Sequence, residues 1–256
     1  MPEISSIVAK ASHNRALRRL SRSGIRAIVP RGHIISTVLE ALELETGPRP
    51  TAAVIWLHGL GADGHDFEPI VPELELPDAP AVRFVFPHAP MQPVTINAGA
   101  VMRAWYDVYG LEGARREDEA GVRASQASVE ALVAREQARG VPASRIVLAG
   151  FSQGGAIALH TGLRHPERLA GVMALSTYLP LASTLAAEAS PANRAVPIFM
   201  AHGRQDPLIP IERAIVSRDA LRKAGYDVEW REYRMAHAVC AEEIRDLAAW
   251  LRRVVT

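Results

Sequence analysis

The chain has 256 residues, of which 48% are hydrophobic and 22% charged, with a formal net charge of +1. These values fit a soluble globular protein with a core large enough to stand without staples, and no global charge points to nucleic acid or to an acidic partner. The single cysteine, Cys240, excludes an internal disulfide and a Cys-rich zinc site, and no run of about eighteen apolar residues offers a membrane span.

Charge is unevenly placed along the chain. Residues 1–36 carry seven basic residues against one acid, Glu3, for a net of +6, while the remainder carries 22 basic and 27 acidic residues, for a net of −5. Arginines interrupt every apolar run in this segment, which argues against a secretory signal and for a cytoplasmic protein. An Arg- and Ser-rich, acid-poor leader also resembles an organelle transit peptide. The simpler expectation is a poorly ordered extension over 1–36 followed by one domain over 37–256.

From there, apolar and acidic residues alternate over Val38–Leu44, as in a partly exposed edge strand. Gly47-Pro48-Arg49-Pro50 is a turn, and Val54-Ile55-Trp56-Leu57 is a short apolar run of the kind found in buried central strands. A glycine-rich loop, Gly59 to Gly64, follows. Val82–Phe86 predicts another strand, stopped by Pro87 and Pro90. Residues 91–116 have no clear period, and long irregular loops in compact domains are usually functional. Residues 117–139 predict an amphipathic helix on Val122, Val129, Leu132 and Val133, ended by Gly140 and Pro142. Further strands are predicted over 145–149, 169–175, 196–201 and 228–233. Helices are predicted over 156–163, 211–223 and 241–254. Strands alternating with helices imply an α/β fold with a mostly parallel central sheet and helices on both faces. Function in such sheets gathers at the carboxyl ends of the strands.

Gly150-Phe151-Ser152-Gln153-Gly154 matches G-x-S-x-G, with a strand before it and a helix after it. A serine on such a sharp turn stands clear of the sheet, and the flanking glycines remove side chains that would clash. The hydroxyl needs a base, and in this fold the partners follow in the order Ser, Asp or Glu, His. His237 lies after the last predicted strand and is the base. Asp206 lies just past the strand 196–201 and is the orienting acid; Glu212 and Asp219 fall on the following helix instead. The backbone N–H of Gln153 and that of Leu60, in His58-Gly59-Leu60-Gly61, are the expected oxyanion donors.

Several other patterns have rival readings. Gly59-Leu60-Gly61-Ala62-Asp63-Gly64 satisfies G-x-G-x-x-G, but no acid ends the second strand as a dinucleotide site requires. His160 and His165 are five residues apart without the glutamate of a zinc helix, so no metal site is expected. His88 lies in a proline-bounded turn. Cys240 reads as a small buried residue rather than a nucleophile, although it is three residues from His237.

Leu57-His58-Gly59-Leu60-Gly61, Phe86-Pro87-His88-Ala89-Pro90, Met102-Arg103-Ala104-Trp105-Tyr106-Asp107, Gly150-Phe151-Ser152-Gln153-Gly154-Gly155 and Met235-Ala236-His237 together resemble the phospholipase/carboxylesterase family of α/β-hydrolases. That family includes acyl-protein thioesterases and small bacterial carboxylesterases, and the resemblance covers roughly residues 37–254. It implies a Ser152–Asp206–His237 triad with Leu60 and Gln153 as the oxyanion hole. It also implies substrate contacts at Leu179, in Tyr178-Leu179-Pro180, and at Trp105, with a flap over the pocket in 91–116. The implied activity is a serine esterase working through an acyl-enzyme, without metal or cofactor. Acyl-protein thioesterase and lysophospholipase activities are the alternatives within the class, and a non-catalytic binding protein is the alternative outside it. The implied partners are a small ester or acyl substrate and a second copy in a homodimer, with no stable membrane insertion. Two departures stand out: Ala238 replaces the serine that commonly follows the family's histidine, and the extension 1–36 has no counterpart.

Overall fold

The computed structural model describes residues 38–76, 80–110 and 117–256. The basic segment 1–36, with the lack of order expected of it, lies outside the described residues. Nine strands are present: β1 (Ala41–Glu45), β2 (Ala52–Leu57), β3 (Val82–Pro87), β4 (Met91–Val94), β5 (Ala100–Arg103), β6 (Ile146–Phe151), β7 (Gly171–Leu175), β8 (Ile198–Gly203) and β9 (Val228–Tyr233) among the described residues. The α-helices are α1 (Ile70–Glu73), α2 (Glu119–Ala138), α3 (Gln153–Arg164), α4 (Leu185–Glu188), α5 (Ile211–Lys223) and α6 (Ala241–Val254).

Seven strands form one sheet in the order β1-β3-β2-β6-β7-β8-β9. Only β1 is antiparallel to its neighbour; the other pairs are parallel. Every residue of β2, β3, β6, β7 and β8 is buried, which explains why these strands read as apolar runs rather than alternations. The edge strand β1 keeps its acidic residues toward solvent. Its Glu43 pairs with Arg139, at the end of α2, at 2.9 Å. Buried Glu136 of α2 meets Arg83 of β3 at 2.7 Å, so charges as well as apolar contacts fix that helix to the sheet.

The sheet separates two cores. One packs α2, α3 and α5 against it through Val129, Leu132, Ile157, Leu159 and Leu221. The other packs α1 and α6 through Ile70, Ile244, Leu247 and Trp250. Helix α3 is buried along its whole length, as expected for the helix that leaves the central strand.

The irregular stretch predicted from residue 91 contains a β-hairpin. β4 and β5 pair antiparallel, with Pro93 opposite Val101. Pro93 sits in a two-stranded ribbon, where a missing N–H costs no ladder bond on its free side. The turn uses Ala98 and Gly99 at positive φ, 55° and 76°. Met91 and Val101 are exposed while Gln92 is half-buried, so apolar residues do not mark the inward face and no alternating pattern results. None of the helices among the described residues is long and apolar enough to cross a membrane.

Candidate active site

Ser152 follows the last residue of β6, the central strand, and precedes the first residue of α3. Its φ of 54° and ψ of −121° are strained for a residue with a side chain. Three bonds hold it there. Its N–H donates to the Leu175 carbonyl at 2.8 Å, and its own carbonyl accepts from Thr177 Oγ1 at 2.6 Å and from the Ala156 N–H at 3.1 Å. The two glycines of the motif have separate steric reasons. A Cβ on Gly150 would run into the Gly154 carbonyl, and a Cβ on Gly154 would run into the carbonyl oxygens of Leu57 and His58. The turn is therefore closed against both its own helix and the end of β2.

Asp206 and His237 come from different strand ends that are stitched together. The N–H groups of Arg204 and Gln205 donate to the carbonyls of Tyr233 and Met235 at 2.9 and 3.0 Å. Gly203 permits this approach, because a Cβ there would strike the Met235 and Ala236 carbonyl oxygens. His237 Nδ1 then lies 2.6 Å from Asp206 Oδ2. The other oxygen, Oδ1, accepts the N–H groups of Leu208 and Ile209, each at 2.9 Å. Burial pushes the Asp206 carboxyl up, but the hydrogen bonds from His237, Ile209 and Leu208 outweigh it and leave it below its ordinary value. A carboxylate can only accept, so His237 carries its proton on Nδ1 and leaves Nε2 as the basic nitrogen.

A second histidine supports the acid. His202, fully buried at the end of β8, donates from Nε2 to the Ile209 carbonyl at 2.8 Å and lies 3.5 Å from Asp206 Oδ2. Burial keeps its pKa below the usual histidine value, so it braces the Asp206 loop as a neutral ring. The sequence carries no local signal for this role, which arises only when the loop 206–209 folds back over β8.

Ser152, His237, Leu60 and Gln153 all line one cavity of about 630 Å³. Gln153 is the first residue of α3, so its N–H has no intrahelical acceptor. The neighbours of Leu60 are engaged: the Gly61 N–H donates to the Arg103 carbonyl at 2.8 Å and the Ala62 N–H to the Gly59 carbonyl at 3.3 Å. The Leu60 N–H has no hydrogen-bond partner among the described residues. Phe151 packs its ring against the His237 imidazole, with centroids 4.6 Å apart.

Leu179 and Trp105 do not line this cavity, contrary to the substrate contacts that the resemblance implied. Both belong to the core. The Leu179 N–H donates to Ser217 Oγ, and the Trp105 indole donates to the His58 carbonyl at 2.9 Å. Their neighbours Tyr178 and Tyr106 face the cavity instead, joined hydroxyl to hydroxyl at 2.9 Å. His58 is structural as well. It accepts the Ala89 N–H at Nε2 and donates from Nδ1 to the Gly59 carbonyl, and burial lowers its pKa to about 4. The glycine-rich loop runs from Gly64 into a short 3₁₀ turn rather than a helix, so it lacks the helix N-terminus of a dinucleotide site. His160 is buried on α3 and bonded to Gln126, and Cys240 is half-buried just before α6.

Comparison with known proteins agrees with this geometry. A family model described as phospholipase/carboxylesterase matches residues 43–255. Acyl-protein thioesterase 1 of Mycosarcoma maydis is 40% identical over 236 residues, covering 86% of this chain and 98% of that protein. Acyl-protein thioesterase 1 of Neurospora crassa is 43% identical over 206 residues, covering 77% and 84%. Among solved structures, Arabidopsis thaliana SOBER1 superposes with a TM-score of 0.76 at 31% identity, covering 80% of this chain and 99% of that one. With its strained serine, its acid–histidine pair and a family match that spans nearly all the described residues, the chain belongs to the phospholipase/carboxylesterase family of α/β-hydrolases.

Proposed function

We propose that the protein is a carboxylic ester hydrolase that works through an acyl-serine intermediate. The observation that carries this reading is the 2.6 Å contact between His237 Nδ1 and Asp206 Oδ2 at the cavity that Ser152 lines. Nε2 of His237 takes the Ser152 proton as Oγ attacks the acyl carbonyl. The oxyanion that forms is met by the N–H groups of Leu60 and Gln153. As the tetrahedral intermediate collapses, the imidazolium gives its proton to the departing alcohol and the acyl group stays on Ser152. Water then attacks the acyl-serine with His237 again as base, and the acid leaves.

Thioester hydrolysis on acylated proteins is the second reading. It is favoured by relatives at 40% and 43% identity that are named acyl-protein thioesterases. The chemistry differs only in the leaving group, a thiol that needs less help from the acid. A fluorophosphonate label should attach to Ser152 and be lost in Ser152→Ala. A turnover panel of p-nitrophenyl esters against acyl thioesters then ranks the two readings. Absence of label on the folded wild-type protein would overturn both.

A further inference from the structure

The cavity wall carries two charges that the hydrolytic steps do not use. Among the described residues that line it, Arg213 is the one permanent cation and Asp66 the one carboxylate. Neither makes an ion pair among the described residues. Arg213 opens α5, whose Leu221 packs in the core of the α3 face. Asp66 belongs to the loop after β2, whose Phe67 packs against Phe151 in the core of the opposite face. In the sheet order, β6 and its Ser152 stand between β2 and β8. The two charges therefore reach the cavity from opposite flanks of the serine.

Arg213 is also held in a defined pose. Its guanidinium carbon lies 3.3 Å from the centre of the Tyr178 ring, and Tyr178 is braced by the Tyr106 hydroxyl. Stacking uses the face of a guanidinium and leaves its N–H edge free, and that edge matches a carboxylate or phosphate in two parallel bonds. Arg213 is half-buried, lines the largely apolar cavity beside Tyr178 and makes no ion pair among the described residues, so its charge is open to an anionic partner.

We propose that Arg213 is a specificity-determining residue that receives an anionic group carried by the substrate, while Asp66 repels that group from the other flank of Ser152. This rests on the ester-hydrolase reading and names the class of substrate: an ester bearing a carboxylate or phosphate away from the reacting carbonyl. Burial first, and then the charge of Asp63, push the Asp66 carboxyl up to about 6, so it is still an anion at pH 7.5. The anion can be carried on the acyl chain or on the alcohol, and the two sources place it on different sides of the scissile bond.

The test compares matched esters on the full chain at pH 7.5. In the first arm the substrates are p-nitrophenyl hemiadipate and its neutral carboxamide, p-nitrophenyl adipamate. In the second they are the butyrate esters of 4-hydroxybenzoate and 4-hydroxybenzamide. The wild type should favour the carboxylate over the carboxamide in one arm, and that arm identifies the source. Arg213→Gln should lower that ratio of kcat/KM about tenfold, mainly through KM, the size expected for losing a charge-assisted bond. Arg213→Lys should keep part of the ratio, and raising the salt from low to molar levels should weaken it in the wild type. Asp66→Asn should raise the carboxylate ratio in the other arm. Equal ratios for wild type and Arg213→Gln in both arms, with neutral esters still turned over, would overturn the role of Arg213 alone. If Arg213→Gln does not fold, a wild-type ratio near one in both arms, or one that salt leaves unmoved, would overturn it equally. A wild type that cleaves no ester or thioester would overturn the hydrolase reading itself.

Discussion

Gln153 holds Trp105 by its backbone: the Trp105 N–H donates to Gln153 Oε1 at 2.8 Å, and the Gln153 amide donates in turn to the Tyr106 carbonyl at 2.7 Å. The residue after the serine thus has two separate tasks. Its main-chain N–H faces the reaction, and its side chain fixes the segment that carries Tyr106 to the cavity. Gln153→Ala removes the second task alone. It leaves a buried N–H and a buried carbonyl without partners, a loss of about 1–3 kcal/mol for each unsatisfied group. The variant should melt several degrees lower while keeping measurable ester turnover, as read by thermal unfolding and p-nitrophenyl ester kinetics. A well-folded Gln153→Ala with no turnover would give the side chain chemistry here assigned to the main chain.

Gly154→Ala tests the closeness of the elbow to β2. The added Cβ would run into the Leu57 and His58 carbonyl oxygens, and main chain at the end of a central strand cannot step aside. Overpacking of this kind costs about 1–3 kcal/mol or more. The expected outcome is a clear fall in melting temperature together with impaired fluorophosphonate labelling, because α3 must move and carry Ser152 with it. Gly110→Ala is the comparison: nothing among the described residues lies within 4 Å of its added Cβ, so stability should stay within about 0.5 kcal/mol of wild type.

What the sequence discloses and what it hides divide along physical lines. The elbow is legible because a strand, a strained turn and a helix are contiguous, and their glycines are needed locally. Asp206 and His237 are legible because each lies just past a predicted strand and in the chain order Ser, Asp, His. The hairpin β4–β5 is not, since Pro93 and two exposed apolar residues give it no period. Trp105 was expected at the substrate and lies in the core, because a motif does not tell which of two adjacent aromatic residues faces the cavity. His202 and Arg213 are silent in the sequence for a related reason. One looks like the end of a buried strand and the other like a solvent-facing residue of a helix, and only the fold brings them to the site.

Stability should fall as pH rises through the neutral range, and Glu243 is the group responsible. Its carboxyl is fully buried in the first turn of α6. Burial raises its pKa to about 8, opposed only in part by the Cys240 N–H. A carboxyl unfolds to an ordinary value near 4.5, so the folded state binds more protons between that value and about 8. Its stabilising, neutral form is therefore fully present at pH 4 and is lost as pH climbs, at about 1.4 kcal/mol per pH unit for one group. Glu243→Gln cannot ionise and should flatten this slope. Its melting temperature should exceed that of the wild type more at pH 7.5 than at pH 5. Parallel pH profiles for the two proteins would show that Glu243 does not carry the effect.

Asp206→Asn tests the orienting acid. Asparagine has nearly the same shape, and its oxygen can keep the bonds from the Leu208 and Ile209 N–H groups. Its amide would then turn a donor toward His237 Nδ1, where the 2.6 Å contact requires an acceptor. The imidazole would have to take the other tautomer, with its proton on Nε2, and could no longer accept the proton of Ser152. The imidazolium that forms during attack would also lose its counter-charge. In a serine protease the equivalent change lowers kcat by about 10⁴. Here the neighbouring His202, 3.5 Å away, is neutral and offers no replacement charge. We expect Asp206→Asn to lose at least about 10²-fold in kcat, roughly 2.7 kcal/mol of transition-state stabilisation, with KM much less changed. Fluorophosphonate labelling should slow in proportion, since it uses the same base. Glu212→Gln is the comparison, an exposed residue in the first turn of α5 that should cost little. If Asp206→Asn stays within a few-fold of wild type while Glu212→Gln collapses, the acid belongs on the helix and the pairing with His237 is not the one that catalysis uses.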